Sequence, residues 1–200
     1  MSPGRALALI ALPLMILAGC APQPIKPIDS WDEHRARVAA LETWHISGQL
    51  GARLPDNNGS ARLRWQQTQD AFRIDLSGPF GQGRTLISGR PGAVTLEQRG
   101  EQPVHASSAE ELLNLATDWQ VPVEQLRYWV RGIPSPELHI QQMKRNSDGL
   151  LAELEQGGWH LRYSNYTLVD NHWHLPRRIV AQREDARLTL VIHNWSTDRP

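Results

Sequence analysis

The chain has a single cysteine, Cys20, so it has no partner for an internal disulfide and no thiols for a multi-cysteine metal cluster. It has no surplus of charge either, with 21 Lys and Arg against 21 Asp and Glu. A nucleic-acid-binding surface normally carries a basic excess to meet phosphates, and its absence argues against that class. Phenylalanine is scarce at two residues, whereas tryptophan reaches eight. Long apolar runs are missing. The stretch Ala6 to Leu17 is interrupted by Pro13 and falls well short of the roughly 20 residues that a membrane-spanning helix requires. A hydrophobic fraction of 40% and a charged fraction of 21% do not describe a disordered chain, and 200 residues suffice for one domain with attachments.

The short apolar run has its own use. Arg5 precedes it and small residues follow, the pattern of a secretory signal peptide. It ends in Leu17-Ala18-Gly19-Cys20, which resembles the bacterial lipobox, where the chain is cut before a cysteine that is then acylated on its sulfur and its new amino group. The expected organisation is a cleaved signal over 1–19, a lipidated Cys20 with a tether over 20–29, and one folded domain over 30–200. Three prolines among residues 21 to 28 favour an extended tether. Cleavage removes Arg5 and no acid, leaving one net negative charge. Two or more acyl chains make a stable anchor, at about 0.8 kcal/mol for each buried methylene. Ala21 is not the aspartate that holds the best-known lipoproteins in the inner membrane, which points to the outer one.

Ser30-Trp31-Asp32-Glu33 is a capping box and predicts a helix to about Leu41. From Trp44 the period becomes two. Ala61, Leu63 and Trp65 alternate with polar residues, as do Phe72, Ile74 and Leu76, then Val94 and Leu96. Strands of this kind have one dry and one wet face, as in an antiparallel sheet covered on one side. Turn signals fall at Asp56-Asn57-Asn58-Gly59, Gly78-Pro79, Pro91-Gly92 and Arg99-Gly100. Ser108-Ala109-Glu110-Glu111 is a second capping box, for a helix through Trp119, and Pro122 opens another that Gly132 and Pro134 end. Alternation returns at Trp159, Leu161 and Tyr163 and at Leu188, Leu190 and Ile192. The fold class expected is mainly β with α: an incomplete, half-open antiparallel β-barrel of about 10–11 strands with helices closing its mouth.

Catalytic chemistry finds no foothold. His172 and His174 have strand spacing for a shared metal but no third ligand nearby, and Asn171 and Pro176 indicate a solvated turn. Ser164 and Asp170 lack a nucleophile elbow around them. The glycine-rich stretch from Gly78 to Gly83 lacks the Lys-Ser/Thr of a phosphate cradle. Glu110 and Glu111 suit the first turn of a helix, where they favour its dipole. No catalytic residue, metal or cofactor is expected. Phe80 is different: it sits in a loop between Pro79 and Gly81, where its ring either caps the neighbouring core or enters lipid with a gain of about 1.5–3 kcal/mol.

Taken in order, several blocks resemble the outer-membrane lipoprotein LolB family: Trp44 to Leu50, Ser60 to Trp65, Gly78-Pro79-Phe80-Gly81, Pro91 to Leu96, Leu126 to Pro134 and Asn194-Trp195. The resemblance implies a half-barrel with a hydrophobic cavity under its helices. It implies a protein that accepts lipoproteins from the periplasmic carrier LolA and inserts them into the inner leaflet of the outer membrane of a Gram-negative bacterium. It also implies a monomer anchored on the periplasmic face by a palmitate-type lipid on Cys20, whose partners are LolA, acylated cargo and outer-membrane phospholipid. The family's membrane-insertion residue falls on Phe80, in the loop Gly78, Pro79, Gly81. For the acyl cavity the inward rows offer Leu63, Trp65, Ile74, Leu76, Leu96, Leu115, Trp119, Trp129, Leu161 and Leu190, with tryptophans as large, stiff walls. Arg127, Arg131, Arg177 and Arg178 are candidates for a basic entrance. The alternative is an envelope lipoprotein that binds free lipid or has a structural role.

Overall fold

A computed structural model of the chain describes residues 26–55, 58–78, 83–109, 111–112 and 123–197. Helix α1 (Trp31–Ala39) leads into β1 (Thr43–Arg53), β2 (Asn58–Thr68), β3 (Ala71–Ser77), β4 (Thr85–Arg90), β5 (Ala93–Gln98) and β6 (Val104–Ala106). Helix α2 (Val123–Trp129) follows, then β7 (Ile140–Arg145), β8 (Leu151–Gln156), β9 (Trp159–Val169), β10 (Trp173–Arg183) and β11 (Ala186–Thr197). The strands form one antiparallel sheet of eleven, in the order β6-β5-β4-β3-β2-β1-β11-β10-β9-β8-β7. Within β1–β6 and within β7–β11 each strand pairs with its sequence neighbours, and the two meanders are joined where β11 returns to lie beside β1. Strands β6 and β7 are the two edges, so the sheet does not close into a barrel.

Local chemistry explains the elements. Ser30 Oγ accepts from the Glu33 amide and starts α1. Ser108 Oγ accepts from the Glu111 amide at 3.0 Å, while the Glu111 carboxylate reaches back to Ser107, so the second box caps a helical turn of which Ala109, Glu111 and Leu112 are described. Pro91-Gly92 and Arg99-Gly100 are turns, with both glycines at positive φ. The signal at Asp56–Gly59 is tighter than expected: Asn58 and Gly59 already belong to β2, opposite Arg53 and Ala52. The β1–β11 register shifts at Ser47/Gly48, and a Cβ on Gly48 would lie 2.1 Å from the Val191 carbonyl oxygen, so only glycine permits this bulge. Ile28 already belongs to the body. Its amide donates to the Asp148 carbonyl at 2.9 Å, and its side chain lies over Gly149 in the β7–β8 turn.

The sheet curls around a core drawn from nearly every strand, including Trp44, Ile46, Leu63, Trp65, Ile74, Leu154, Leu161, Leu175 and Ile192. Polar groups are buried with it, among them Arg131 and His34. Arg131, 5% exposed, donates from Nη1 to the carbonyls of Val38 at 2.9 Å, Ala39 at 3.3 Å and Leu41 at 2.8 Å, and from Nε to that of Arg127 at 2.8 Å. Burial lowers its pKa to about 10, still high enough to keep it charged at neutral pH. His34 on α1 meets His174 on β10 edge to face, with ring centroids 6.1 Å apart. Burial first, and then the charges of His174 and Arg37, lower His34 from the usual 6.5 to about 4.

Arg131→Met removes the guanidinium donor from three carbonyls at the end of α1, and a loss of about 2–4 kcal/mol is expected in urea unfolding. The His34 shift gives a second expectation. The unfolded chain binds a proton that the folded one refuses between pH 6.5 and about 4, so the contribution of this site is complete above 6.5 and declines as pH falls through that window. The melting temperature therefore drops on acidification, and His34→Phe flattens that part of the profile. An unchanged slope would remove His34 as its source.

Candidate acyl-chain cavity and its lid

Beneath α2 the concave face of the sheet encloses a cavity of about 170 Å³ whose described walls are wholly apolar. Leu126, Trp129 and Val130 form its lid, at the spacing that places them on one face of a helix. Leu50, Leu63, Trp65, Ile74, Leu76, Ile87, Leu161, Ile179, Ala181, Leu188 and Leu190 form its floor, from β4 across β3, β2, β1, β11 and β10 to β9. A side-chain amide holds the lid. Gln156, fully buried on β8, accepts at Oε1 from Trp129 Nε1 at 2.8 Å and from the Ser135 amide at 2.9 Å. Its Nε2 donates to the Ser135 and Leu138 carbonyls at 2.8 and 2.9 Å. All of its hydrogen-bonding capacity is used to fix Trp129 and the chain leaving the helix. Gly132 completes the exit at φ +75°, where a Cβ would stand 2.8 Å from the Tyr166 hydroxyl.

Of the ten residues nominated from alternation, Leu63, Trp65, Ile74, Leu76, Trp129, Leu161 and Leu190 line this cavity. Leu96 does not. It is buried in the core on β5, beyond β4 towards the β6 edge and outside this cavity. Leu115 and Trp119 lie outside the described residues, as do Cys20, Pro79, Phe80 and Gly81. Gly78, half-buried, ends β3, and across the base of its loop Arg84 grips Asp75 through Nη2 at 2.5 Å and Nε at 3.1 Å. The Arg84 hydrogen bond holds the Asp75 carboxyl below its usual range.

Three expectations need correction. Tryptophan is mainly core material: of the described tryptophans, only Trp65 and Trp129 reach the apolar cavity, while Trp44 packs between Trp65 and Trp195 with centroids 5.1 and 5.6 Å away. Three of the four arginines named for a basic entrance have partners within the fold. Arg131 is spent on α1, Arg177 donates to the Ile192 and His193 carbonyls, and Arg127 is paired to Asp70 at 2.6 Å. His172 is in the expected turn, but His174 is part of β10 and packs against α1. Alternation on β1 and β10 could have found Leu50, Ile179 and Ala181. No local signal marked Gln156 or Arg131, polar residues whose partners are distant in sequence.

A second cavity, of about 290 Å³, adjoins the first and shares Trp65 with it. Phe72, Val94, Pro91 and Ala109 supply its other apolar walls, and Asp70, Arg90, Glu124, Arg127 and Glu137 its charges.

Known proteins provide the comparison for this half-barrel with a dry interior. A family model described as "Outer membrane lipoprotein LolB" matches residues 42–195. The chain belongs to the LolB family. Among its relatives, the outer-membrane lipoprotein LolB of Cellvibrio japonicus is 45% identical over 96% of this chain and 97% of its own. That of Stutzerimonas stutzeri is 43% identical over 90% of each. LolB membership places the chain among the outer-membrane lipoproteins of Gram-negative bacteria. The fold reaches further than the sequence. A LolA-superfamily protein from Nitrosomonas europaea superposes with a TM-score of 0.54 at 9% identity, covering 84% of this chain and 92% of its own. A DUF1329-family protein from Desulfovibrio piger gives 0.55 at 8%, covering 87% and 94%.

Gln156→Leu leaves Trp129 Nε1, the Ser135 amide and two carbonyls without partners. A stability loss of at least about 3 kcal/mol is expected in denaturant unfolding. The fluorescence of Trp129 should also shift towards that of a mobile indole.

Proposed function

We propose that the chain is the outer-membrane receiver of the lipoprotein-sorting route, taking acylated lipoproteins from LolA and delivering them to the membrane in which it is anchored. The cavity under α2 carries this reading, because nothing but apolar side chains is described in its walls. An acyl chain of about sixteen carbons exposes on the order of 12 kcal/mol of unfavourable surface in water, so it crosses the periplasm only inside such a site. No bond is made or broken. Transfer runs downhill when this cavity holds the chains more tightly than the carrier does and less tightly than the bilayer.

The volume dictates how cargo enters. At about 170 Å³ the cavity is below the roughly 300–1,000 Å³ of sites that hold a molecule of comparable size. The lid must therefore lift as chains enter. Leu126 can move with the helix, while Gln156 keeps the Trp129 end fixed.

Cys20 supplies the anchor in this reading and Phe80 the wedge that opens the bilayer. Ile28 is docked eight residues after Cys20, and extended chain spans at most about 3.6 Å per residue, so the body stays within about 29 Å of its anchor. The docked turn β7–β8 and the loop β3–β4 close opposite ends of the strands, so both approach one bilayer when the strands lie inclined to it.

The test is a two-step transfer assay with an acylated lipoprotein loaded on LolA, the processed protein and liposomes. The protein should strip cargo from the carrier and pass it to liposomes, and Phe80→Glu should leave the first step intact and block the second. Free phospholipid in the cavity with no uptake of cargo would instead favour the lipid-binding alternative. Normal delivery by Phe80→Glu would end the assignment of that residue.

A further inference from the structure

The second cavity has a composition that an acyl-chain site alone does not explain. It shares Trp65 with the first, yet Asp70, Arg90, Glu124, Arg127 and Glu137 stand among its apolar walls. Arg127 holds the central position. It follows Leu126, a lid residue of the apolar cavity, but lines the polar one and a third cavity of about 370 Å³ beyond Asp70. Its Nη1 is committed to Asp70 at 2.6 Å, and its guanidinium carbon lies 4.9 Å from the centre of the Tyr128 ring. Its Nε, by contrast, is buried with no hydrogen-bond partner among the described residues. A buried guanidinium donor left unpaired at the wall of a cavity is costly unless a ligand acceptor meets it.

We propose that this second cavity seats the polar head of the lipid whose chains fill the first, with Arg127 Nε donating to a carbonyl of a glyceryl ester or of the acyl amide. The inference rests on the acyl-chain reading of the first cavity and adds a recognition element to it. Fatty-acyl chains offer no group by which one lipid differs from another, whereas ester and amide carbonyls at their head accept hydrogen bonds at a fixed distance from the apolar part. Aromatic walls at Trp65 and Phe72 suit the neck of such a molecule, where hydrocarbon meets its first oxygens. Asp70 holds the opposite edge of the guanidinium and orients the free Nε.

Acylated lipoprotein and phospholipid both carry glyceryl esters, and competition binding separates the sources. A fluorescent apolar dye bound to the processed protein is displaced by a long-chain alkane, a phosphatidylethanolamine or a synthetic diacylglyceryl-cysteine peptide, with Arg127→Met compared to the unsubstituted chain. Alkane displacement should be unchanged, while the lipopeptide should weaken at least about tenfold, the scale of one lost charge-assisted hydrogen bond. An equal loss for the phospholipid supports recognition through the shared esters, and a loss confined to the lipopeptide supports recognition through the acylated cysteine. Arg127→Lys keeps a cation for Asp70 but has no Nε donor, so it should lose the lipopeptide as Arg127→Met does. If Arg127→Lys binds the lipopeptide like the unsubstituted chain, the pair with Asp70 rather than Nε is what counts and the head seat is overturned. An equal loss for alkane and lipopeptide, or a loss for neither, also overturns it. Failure of alkane and lipopeptide alike to displace the dye from the unsubstituted chain would strike the acyl-chain reading itself.

Discussion

An open sheet with a dry concave face is stable only while something covers that face, and here the cover is held by a charge with no counter-ion among the described residues. Arg131 lies at the end of the lid helix and places its guanidinium among the last carbonyls of α1. Burying a guanidinium is unfavourable, as its lowered pKa records. Four carbonyl acceptors and the negative end of the α1 dipole offset that cost. The result ties three elements together, since α1 leads directly into β1 at the middle of the sheet. Removing this contact would loosen the lid and the helix that seals one end of the strands at the same time.

Gln156 supports the other side of the lid by a different means. Its neutral amide satisfies four groups within the buried turn after α2 and so specifies one position for Trp129. Arg131 and Gln156 both act on the C-terminal end of α2, whereas the turn at Leu126 is tied, among the described residues, by the surface pairs Arg127–Asp70 and Gln125–Glu137. In the proposed transfer the helix hinges where it is pinned from within, and the apolar cavity widens at its other end. Rigidity at one point and compliance at another suit a container that must both accept and surrender its contents.

Much of the sheet was legible because half-buried strands advertise themselves. Leu63 and Trp65, Ile74 and Leu76, and Leu161 each stand at every second position, and the structure turns all of them to one side. Alternation gives the face but not the place along the sheet, which is why Leu96 fell on the inward row yet outside the cavity. Strand β7 shows the opposite limit. Ile140–Arg145 is exposed along its whole length, so it has no dry face to create a period. The pins were illegible for a further reason: a buried arginine or glutamine resembles a surface one until its partners are known, and those of Arg131 on α1 lie about ninety residues away. Tryptophan misled in another way, because its size serves a core as well as a cavity, and Trp44 does the former between Trp65 and Trp195.

The place of the lid in the topology determines what opening costs. Strands β6 and β7 are the free edges of the sheet, and the connection between them carries α2 across the concave face. Lifting that helix breaks no ladder hydrogen bond, because every ladder lies within the eleven strands on either side of the connection. A closed barrel would have to separate a pair of strands to admit a ligand through its wall, leaving a row of backbone groups unpaired. An incomplete barrel avoids this by leaving its gap permanently open and covering it with side chains from a helix. The lid must then be apolar enough to keep water out and loosely enough held to move. Its own contribution to the cavity, Leu126, Trp129 and Val130 against eleven residues from the sheet, leaves the floor intact while the cover gives way.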